Sequence, residues 1–305
     1  SFVTISDHNR IDGALDIAHL PGTFLSSEIT TYFPENGCKV HCLVLGISEE
    51  QFATIQRVRG NIYDFQSYVV EQDIICSVAH PLFRVNGQLT VRQVEKLLLL
   101  FNRFEAINGT RDGRACALSN YILDHLTREQ IEEMSDWHGL TPHGATPWRK
   151  SFTAGSDDHS GLYIASAYTS TPEATTVEEF LGHLRRGDHE PAGTAGTSLR
   201  LAHSFYQIAS AYYKDRFLND AEQRHSFLGE MFRTLLERPS RPTSVFLGDK
   251  LRGMAGWLVG AAPQHELTEI EQLLLEEFAD LFAARDLASS RAAEAAPAES
   301  DDRRV

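Results

Sequence analysis

Several side chains of the types that bind divalent metal ions lie at or near the ends of short apolar runs in the sequence. Cations held by such groups activate water, so the chemistry that they suggest is metal-assisted hydrolysis. A lone histidine is more often structural than metal-binding, and the chain contains 13 histidines. A setting at a strand makes shared coordination more probable than coincidence. The candidates with that setting are His8, Glu28, His41, His80, Asp157 and His159.

Six short apolar runs predict the strands that would position these side chains. The runs cover residues 2–6, 22–27, 39–46, 74–79, 104–107 and 151–155. Residues 49–70 and 90–102 have apolar side chains at spacings of three and four, which predicts amphipathic helices. Alternating strands and helices predict a parallel sheet, open or closed into a barrel, with function at the carboxyl ends of the strands.

The pattern changes after Gly187. Residues 191–197 are rich in Gly, Ala and Thr and predict a linker, and helical periodicity follows from Ser198 onward. The sequence therefore predicts a first domain over residues 1–190, a helical module over residues 198–286 and a disordered tail over residues 287–305. Because the chain begins inside an apolar run, we also expect an N-terminal truncation.

Composition narrows the classes of partner. With 28 basic against 42 acidic residues and a formal net charge of −14, non-specific binding of nucleic acid is disfavoured and a small partner is expected. Four cysteines without a CxxC pair indicate a reducing, cytoplasmic setting. No apolar run approaches the roughly 20 residues of a membrane span, so no membrane partner is expected.

Three motifs resemble those of the PHP (polymerase and histidinol phosphatase) family. Residues 5–13 (ISDHNRIDG) are similar to its TDHxxxxG motif, residues 79–81 (AHP) to its HP motif, and residues 155–159 (GSDDH) to its GSDxH motif. Their order and spacing also match, over residues 1 to about 170. Within the family, residues 17–24, 81–83 and 146–150 most resemble PHP domains fused to a glycosyltransferase.

The resemblance implies a distorted (β/α)7 TIM-like barrel with two or three divalent metal ions at its mouth. Glu28 would bridge two ions and Asp157 would complete the first, while the second ion would be held by His41 and His80. The third would be held by His8 and His159. The family's HxH motif is absent from this chain, so the barrel is expected to lack its first strand.

Four imidazoles with two carboxylates are too rich in nitrogen for Mg²⁺ or Ca²⁺, so Zn²⁺, Mn²⁺ or Fe²⁺ is expected. Beyond the ligands, Arg149 is a candidate for binding a substrate phosphate, since its planar guanidinium suits that task. Asp7 is expected either to orient the imidazole of His8 or to cap a helix. Asn108 is expected either to bind substrate or to form a turn.

The expected function is hydrolysis of a small phosphate ester by a metal-activated water. Two alternatives remain open at this point. One is a nuclease that acts on nucleic-acid ends, and the other is a non-catalytic, metal-binding regulatory module of a fused or docked glycosyltransferase domain.

Overall fold

A computed structural model describes residues 1–217. Its strands are β1 (Ser26–Tyr32), β2 (Lys39–Leu45), β3 (Ile75–Val78), β4 (Arg103–Asn108), β5 (Ser151–Gly155), β6 (Ala167–Ser170) and β7 (Glu190–Gly193). Its helices are α1 (Asp12–Asp16), α2 (Glu49–Val58), α3 (Ile62–Glu71), α4 (Val91–Leu100), α5 (Gly113–Asp124), α6 (Arg128–His138), α7 (Val177–Arg186) and α8 (Ser198–Phe217). None of these helices combines the length and the apolar character that crossing a membrane would need.

The first five strands form one mixed sheet in the order β1-β2-β3-β4-β5. β2 is antiparallel to both β1 and β3, whereas β3, β4 and β5 are mutually parallel. β6 and β7 form a separate antiparallel pair. The predicted TIM-like barrel is therefore wrong for residues 1–217, because β1 and β5 are the open edges of a sheet that does not close.

The error has a physical cause in the connection between β1 and β2. Only residues 33–38 separate these two strands. A parallel crossover needs a dozen or more residues. A connection as short as this one therefore produces an antiparallel hairpin. The sequence interpretation assigned every apolar run to one parallel sheet and did not consider the minimum length of a parallel connection.

The first residues lie along the free edge of β1 without forming a regular strand. Two isolated parallel bridges, Val3 with Thr23 and His8 with Glu28, hold this segment in place. The predicted strand over residues 2–6 is thus reduced to single contacts, although its parallel direction is retained.

The predicted helix over residues 49–70 is two helices, α2 and α3, separated by residues 59–61. Ser48 caps α2 through a capping box with Gln51, and the side chain of Asn61 caps α3. A new cap at Asn61 starts a second helix because it satisfies backbone N–H groups that would otherwise lack partners.

The hydrophobic core lies between α2–α6 and one face of the five-stranded sheet. Ile29 of β1, Cys42 of β2, Val78 of β3 and Phe104 of β4 all belong to this core. Side chains alternate across a strand, so their neighbours point to the opposite face. We call that opposite face the polar face. It bears Glu28, His41, Ser77, Glu105 and Thr153, and Ser77 and Thr153 are hydrogen-bonded to each other at 2.7 Å.

The segment predicted as a linker, residues 191–197, begins inside β7, which pairs with β6. α8 starts where the predicted helical module starts, and the rest of that module and the predicted tail lie outside the described residues. The domain boundaries at residues 190 and 198 stay predictions.

Candidate metal centre

Three imidazole rings surround the carboxylate of Glu28, a buried residue of β1. His41 Nδ1 lies 2.8 Å from Glu28 Oε1, and His80 Nε2 lies 3.2 Å from the same oxygen. His8 Nδ1 lies 3.7 Å from the second oxygen, Oε2. The two nitrogens of His41 and His80 are themselves 3.4 Å apart. We refer to these four residues as the Glu28 cluster.

Each member of the cluster reaches it from a different stretch of backbone. The N–H of Glu28 donates to the carbonyl of Asp7, and the N–H of Asn9 donates to the carbonyl of Glu28, which places His8 directly beside Glu28. His41 lies in β2, next to β1 in the sheet. His80 follows the end of β3 with a φ of 29°, a backbone conformation that is rare outside glycine and is concentrated at functional sites.

The electrostatics of the cluster favour an ionised carboxylate beside a neutral imidazole. Burial raises the pKa of Glu28, but hydrogen bonds with His41 and His80 outweigh burial and hold this pKa well below its usual value. Burial lowers the pKa of His8, and the attraction of Glu28 does not offset that effect. A carboxylate and a neutral imidazole are the forms that bind a metal ion.

A second group of polar residues lies where β4 and β5 end. Asp157 Oδ2 accepts hydrogen bonds from Thr110 Oγ1 at 2.7 Å and from Asn108 Nδ2 at 3.2 Å. His159 Nδ1 lies 3.7 Å from Asp157 Oδ1. The rings of His159 and His8 are 6.4 Å apart between centroids, so this group adjoins the Glu28 cluster. The structure therefore brings all six candidate ligands to one region, and their roles as ligands stay a prediction.

Glu105 belongs to the same region, and the sequence interpretation missed it by treating residues 104–107 as an apolar run. It lies within β4 and is only 4% exposed. Burial, followed by the nearby charge of Asp157, raises the pKa of Glu105 to about 8. The sequence signal that could have revealed it is an acidic residue inside a strand that is otherwise buried, since such residues are rarely buried without a specific partner.

Arg111 is the other residue that the sequence interpretation missed. Its Nη2 lies 3.7 Å from Asp157 Oδ2, and its guanidinium carbon lies 3.7 Å from the ring centroid of Phe83. The side chain is 18% exposed, and its buried Nε has no hydrogen-bond partner within the described part of the chain. Arg111 thus brings a fixed positive charge with unused donor capacity to the region.

Arg149 does not lie where a phosphate-binding residue is needed. It is exposed and precedes β5, whereas Asp157 follows the opposite end of that strand. Five extended residues separate the two ends by roughly 17 Å. Its neighbour Lys150 points into the protein and donates to the carbonyls of Leu98 and Phe101 at the end of α4. The prediction for Arg149 relied on nearness in sequence to β5, whereas the structure places this residue at the end of the strand away from Asp157, and its role in binding phosphate stays a prediction.

Asp7 lies beside the start of α1, and its expected roles stay predictions. Its carboxylate lies against Gly13 of α1, where a Cβ atom would come within 2.5 Å of Asp7 Oδ2. The nearest helix, α1, begins after Ile11 and has no side-chain cap.

Asn108 has the expected turn role and one more. Its Oδ1 accepts from the backbone N–H groups of Thr110 and Arg111, which closes the turn after β4. Its Nδ2 donates to Glu105 and Asp157, so it connects two carboxyl groups.

The spacing of the donors fits one divalent cation. Ligand atoms at about 2.1 Å from a tetrahedrally coordinated ion lie about 3.4 Å from one another. The three distances that join His41, His80 and Glu28 Oε1 are 2.8, 3.2 and 3.4 Å. Within residues 1–217, His8, Glu28 and His41 also form a group whose potential ligand atoms all lie within 4.8 Å of one another. These residues would hold the ion, and nitrogen-rich coordination favours Zn²⁺, Mn²⁺ or Fe²⁺.

Comparison with protein-family models gives no match for this chain, and no curated protein matches it. The resemblance to the PHP family consequently depends on the three motifs alone and stays a prediction.

Proposed function

We propose that this protein is a metal-dependent hydrolase of phosphate esters, the activity that the resemblance to the PHP family implies. The observation that supports the proposal most directly is the Glu28 cluster, in which three imidazole nitrogens converge on one buried carboxylate. An ordinary buried salt bridge does not need three histidines around a single glutamate. A shared cation explains the arrangement because each donor then satisfies part of one coordination sphere.

The candidate ligands would form two cation positions. Glu28, His41 and His80 would hold one divalent cation, with His8 on the outer side towards His159 and Asp157. A bound cation of this kind polarises a phosphoryl oxygen and lowers the pKa of coordinated water towards neutrality. His159 and Asp157 would hold a further cation at the edge shared with His8.

Arg111 is the residue that would bind the phosphate group of the substrate. The Phe83 ring fixes the plane of the guanidinium, and the ion pair with Asp157 at 3.7 Å is too long to use its donors fully. A planar guanidinium with free N–H groups can donate to two oxygens of a phosphate. Its positive charge would stabilise the negative charge that develops on these oxygens during hydrolysis.

A small substrate is favoured over nucleic acid by the net charge of −14, because binding a polyanion requires clustered cations. All four cysteines are unpaired, which supports the proposal of a reducing, cytoplasmic setting. Association with a glycosyltransferase domain, fused or docked, is part of the same proposal and depends only on the sequence resemblance.

The test is metal analysis of the purified protein, followed by assays with a panel of phosphomonoesters, phosphodiesters and single-stranded DNA. We expect Zn²⁺, Mn²⁺ or Fe²⁺ to be bound and small esters to be hydrolysed. A strong chelator should abolish activity, and the bound ion should restore it where Mg²⁺ does not.

Two results would contradict the proposal. Bound metal without hydrolysis of any substrate in the panel would favour the regulatory module. Hydrolysis of DNA in preference to small esters, with steep loss of activity between low and moderate salt, would favour the nuclease.

A further inference from the structure

Glu105 is an acidic side chain in the middle of the polar face, inside β4 and almost completely buried. The proposed chemistry does not require it as a ligand, since no imidazole nitrogen lies within contact distance of its carboxylate among the contacts of the described residues. A buried carboxyl group that is neither exposed nor paired with a cation is costly, and its presence needs an explanation.

One oxygen of Glu105 joins the two parts of the region. Glu105 Oε2 accepts from the backbone N–H of His80 at 2.8 Å and from Asn108 Nδ2 at 2.9 Å. Asn108 Nδ2 also donates to Asp157 Oδ2 at 3.2 Å. A continuous path of hydrogen bonds therefore runs from the backbone of His80 to the carboxylate of Asp157.

The bond to His80 restrains a strained part of the chain. His80 has a φ of 29°, which a side-chain-bearing residue adopts only when its surroundings hold it there. Rotation of this backbone would swing the imidazole away from Glu28, where its Nε2 lies at 3.2 Å. The hydrogen bond from the N–H of His80 to Glu105 Oε2 opposes that rotation.

The second oxygen of Glu105 is accommodated by the absence of a side chain on β5. A Cβ atom on Gly155 would lie 3.1 Å from Glu105 Oε1, which is closer than such contacts normally come. Gly155 thus leaves room for the carboxyl group, and a methyl group there would push Glu105 Oε1 aside by a few tenths of an ångström.

We propose that Glu105 is a positioning residue that sets the distance between the Glu28 cluster and Asp157 by holding the backbone of His80 and the amide of Asn108. The inference rests on the proposed function, because the distance matters only if the two parts bind the same metal centre and substrate. Glu105 acts through His80 and Asn108 and does not itself touch the reacting atoms.

The experiment compares two substitutions that differ only in whether an acceptor oxygen remains. Glu105→Gln keeps one, whereas Glu105→Leu removes both with a similar volume. Zn²⁺ or Mn²⁺ affinity is measured by competition with a chelating dye, and the amide proton shift of His80 is measured by NMR of the metal-free protein. We expect Glu105→Leu to weaken metal binding about 10- to 100-fold, as loss of a group that orients a ligand typically does, and to move the His80 amide resonance upfield. Glu105→Gln should change affinity by only a few-fold.

Glu95 provides the matched control, since its Oε2 lies 2.7 Å from His138 Nε2 in a partly buried contact between α4 and α6. Glu95→Leu should leave metal affinity and the His80 resonance unchanged. If Glu105→Leu does not fold, Gly155→Ala disturbs the same carboxyl group while keeping every polar atom, and it should also weaken metal binding and shift the His80 amide.

Unchanged metal affinity and an unchanged His80 resonance in Glu105→Leu, or in Gly155→Ala, would overturn the positioning role. That outcome would leave the proposed function intact provided that the wild-type protein binds metal and hydrolyses esters. If the wild type binds no metal, the proposed function fails, and the His80 shift still decides whether Glu105 holds this backbone.

Discussion

Two buried glutamates on neighbouring parts of one sheet have opposite electrostatic settings. Glu28 is surrounded by imidazole nitrogens, and their hydrogen bonds lower its pKa well below the usual value in spite of burial. Glu105 accepts from a backbone N–H and an amide and lies near the charge of Asp157, and its pKa rises to about 8. Burial acts on both in the same direction, so the partners decide the sign of the shift.

The difference indicates two separate tasks. In the proposed metal centre, the ionised carboxylate of Glu28 would hold a cation, whereas a carboxyl group that retains its proton near neutral pH would serve as a fixed part of the framework. In the proposed metal centre, the antiparallel half of the sheet, β1 and β2 with the end of β3, would supply Glu28, His41 and His80. The parallel half, β4 and β5 with the segments that follow them, would supply the positioning groups Glu105 and Asn108 and the further donors Asp157 and His159.

The largest expected effect comes from removing the charge of Glu28. Glu28→Gln keeps the side-chain volume but loses the anion that three histidines face, so we expect turnover to fall by about three orders of magnitude or more. Steady-state hydrolysis of the best substrate in the panel measures this fall, and circular dichroism checks that the fold is retained. Full activity in a folded Glu28→Gln protein would show that the Glu28 cluster is not the catalytic centre.

The next effect distinguishes the two candidate phosphate-binding arginines. Arg111→Ala removes a guanidinium beside Asp157, and hydrogen bonds to a charged group contribute about 1.5 to 3 kcal/mol, so kcat/KM should fall about 10- to 100-fold. Arg149→Ala is the control, because Arg149 is exposed at the opposite end of β5 and should leave kcat/KM unchanged. A larger loss in Arg149→Ala than in Arg111→Ala would reverse the assignment.

The third effect concerns the free energy of unfolding and its dependence on pH, not the rate of hydrolysis. The pKa of Glu105 is raised in the folded protein, so the native state holds a proton that the unfolded state releases above its ordinary value near 4.5. The stability contributed by this proton is complete below about pH 4.5 and is lost as the pH rises through about 8. Wild type should therefore lose up to about 1.4 kcal/mol per pH unit across this window relative to Glu105→Gln, which carries no titratable group there.

Urea unfolding of the metal-free protein at a series of pH values measures this difference. Glu28→Gln provides the contrast, since the pKa of Glu28 is lowered and its contribution disappears only as the pH falls below about 4.5. If the free energy of unfolding changes equally with pH in wild type and Glu105→Gln between pH 5 and 8, Glu105 does not retain its proton in the folded protein.

Much of the local structure follows from sequence patterns. The strand over residues 151–155 has the predicted bounds, and the strands near residues 39–46, 74–79 and 104–107 differ from the prediction by one or two residues. Local apolar runs determine these elements because each strand needs only its own side chains to be suited to burial. The predicted strand over residues 22–27 begins four residues later, at Ser26, and the division between α2 and α3 depended on a cap that periodicity alone does not reveal.

The sequence by itself determined which residue types stand near the strands, and the six candidate ligands do lie together in the structure. The short connection between β1 and β2 was a sequence signal for an antiparallel pair, but the direction of β3 relative to β2 depends on how a longer connection packs across the sheet. Tertiary structure alone decided that β3 runs antiparallel to β2, that Arg111 and not Arg149 adjoins Asp157, and that Glu105 connects His80 to Asn108. Each of these is a contact between residues distant in sequence or a choice between two ends of one strand, and local patterns contain no information about either.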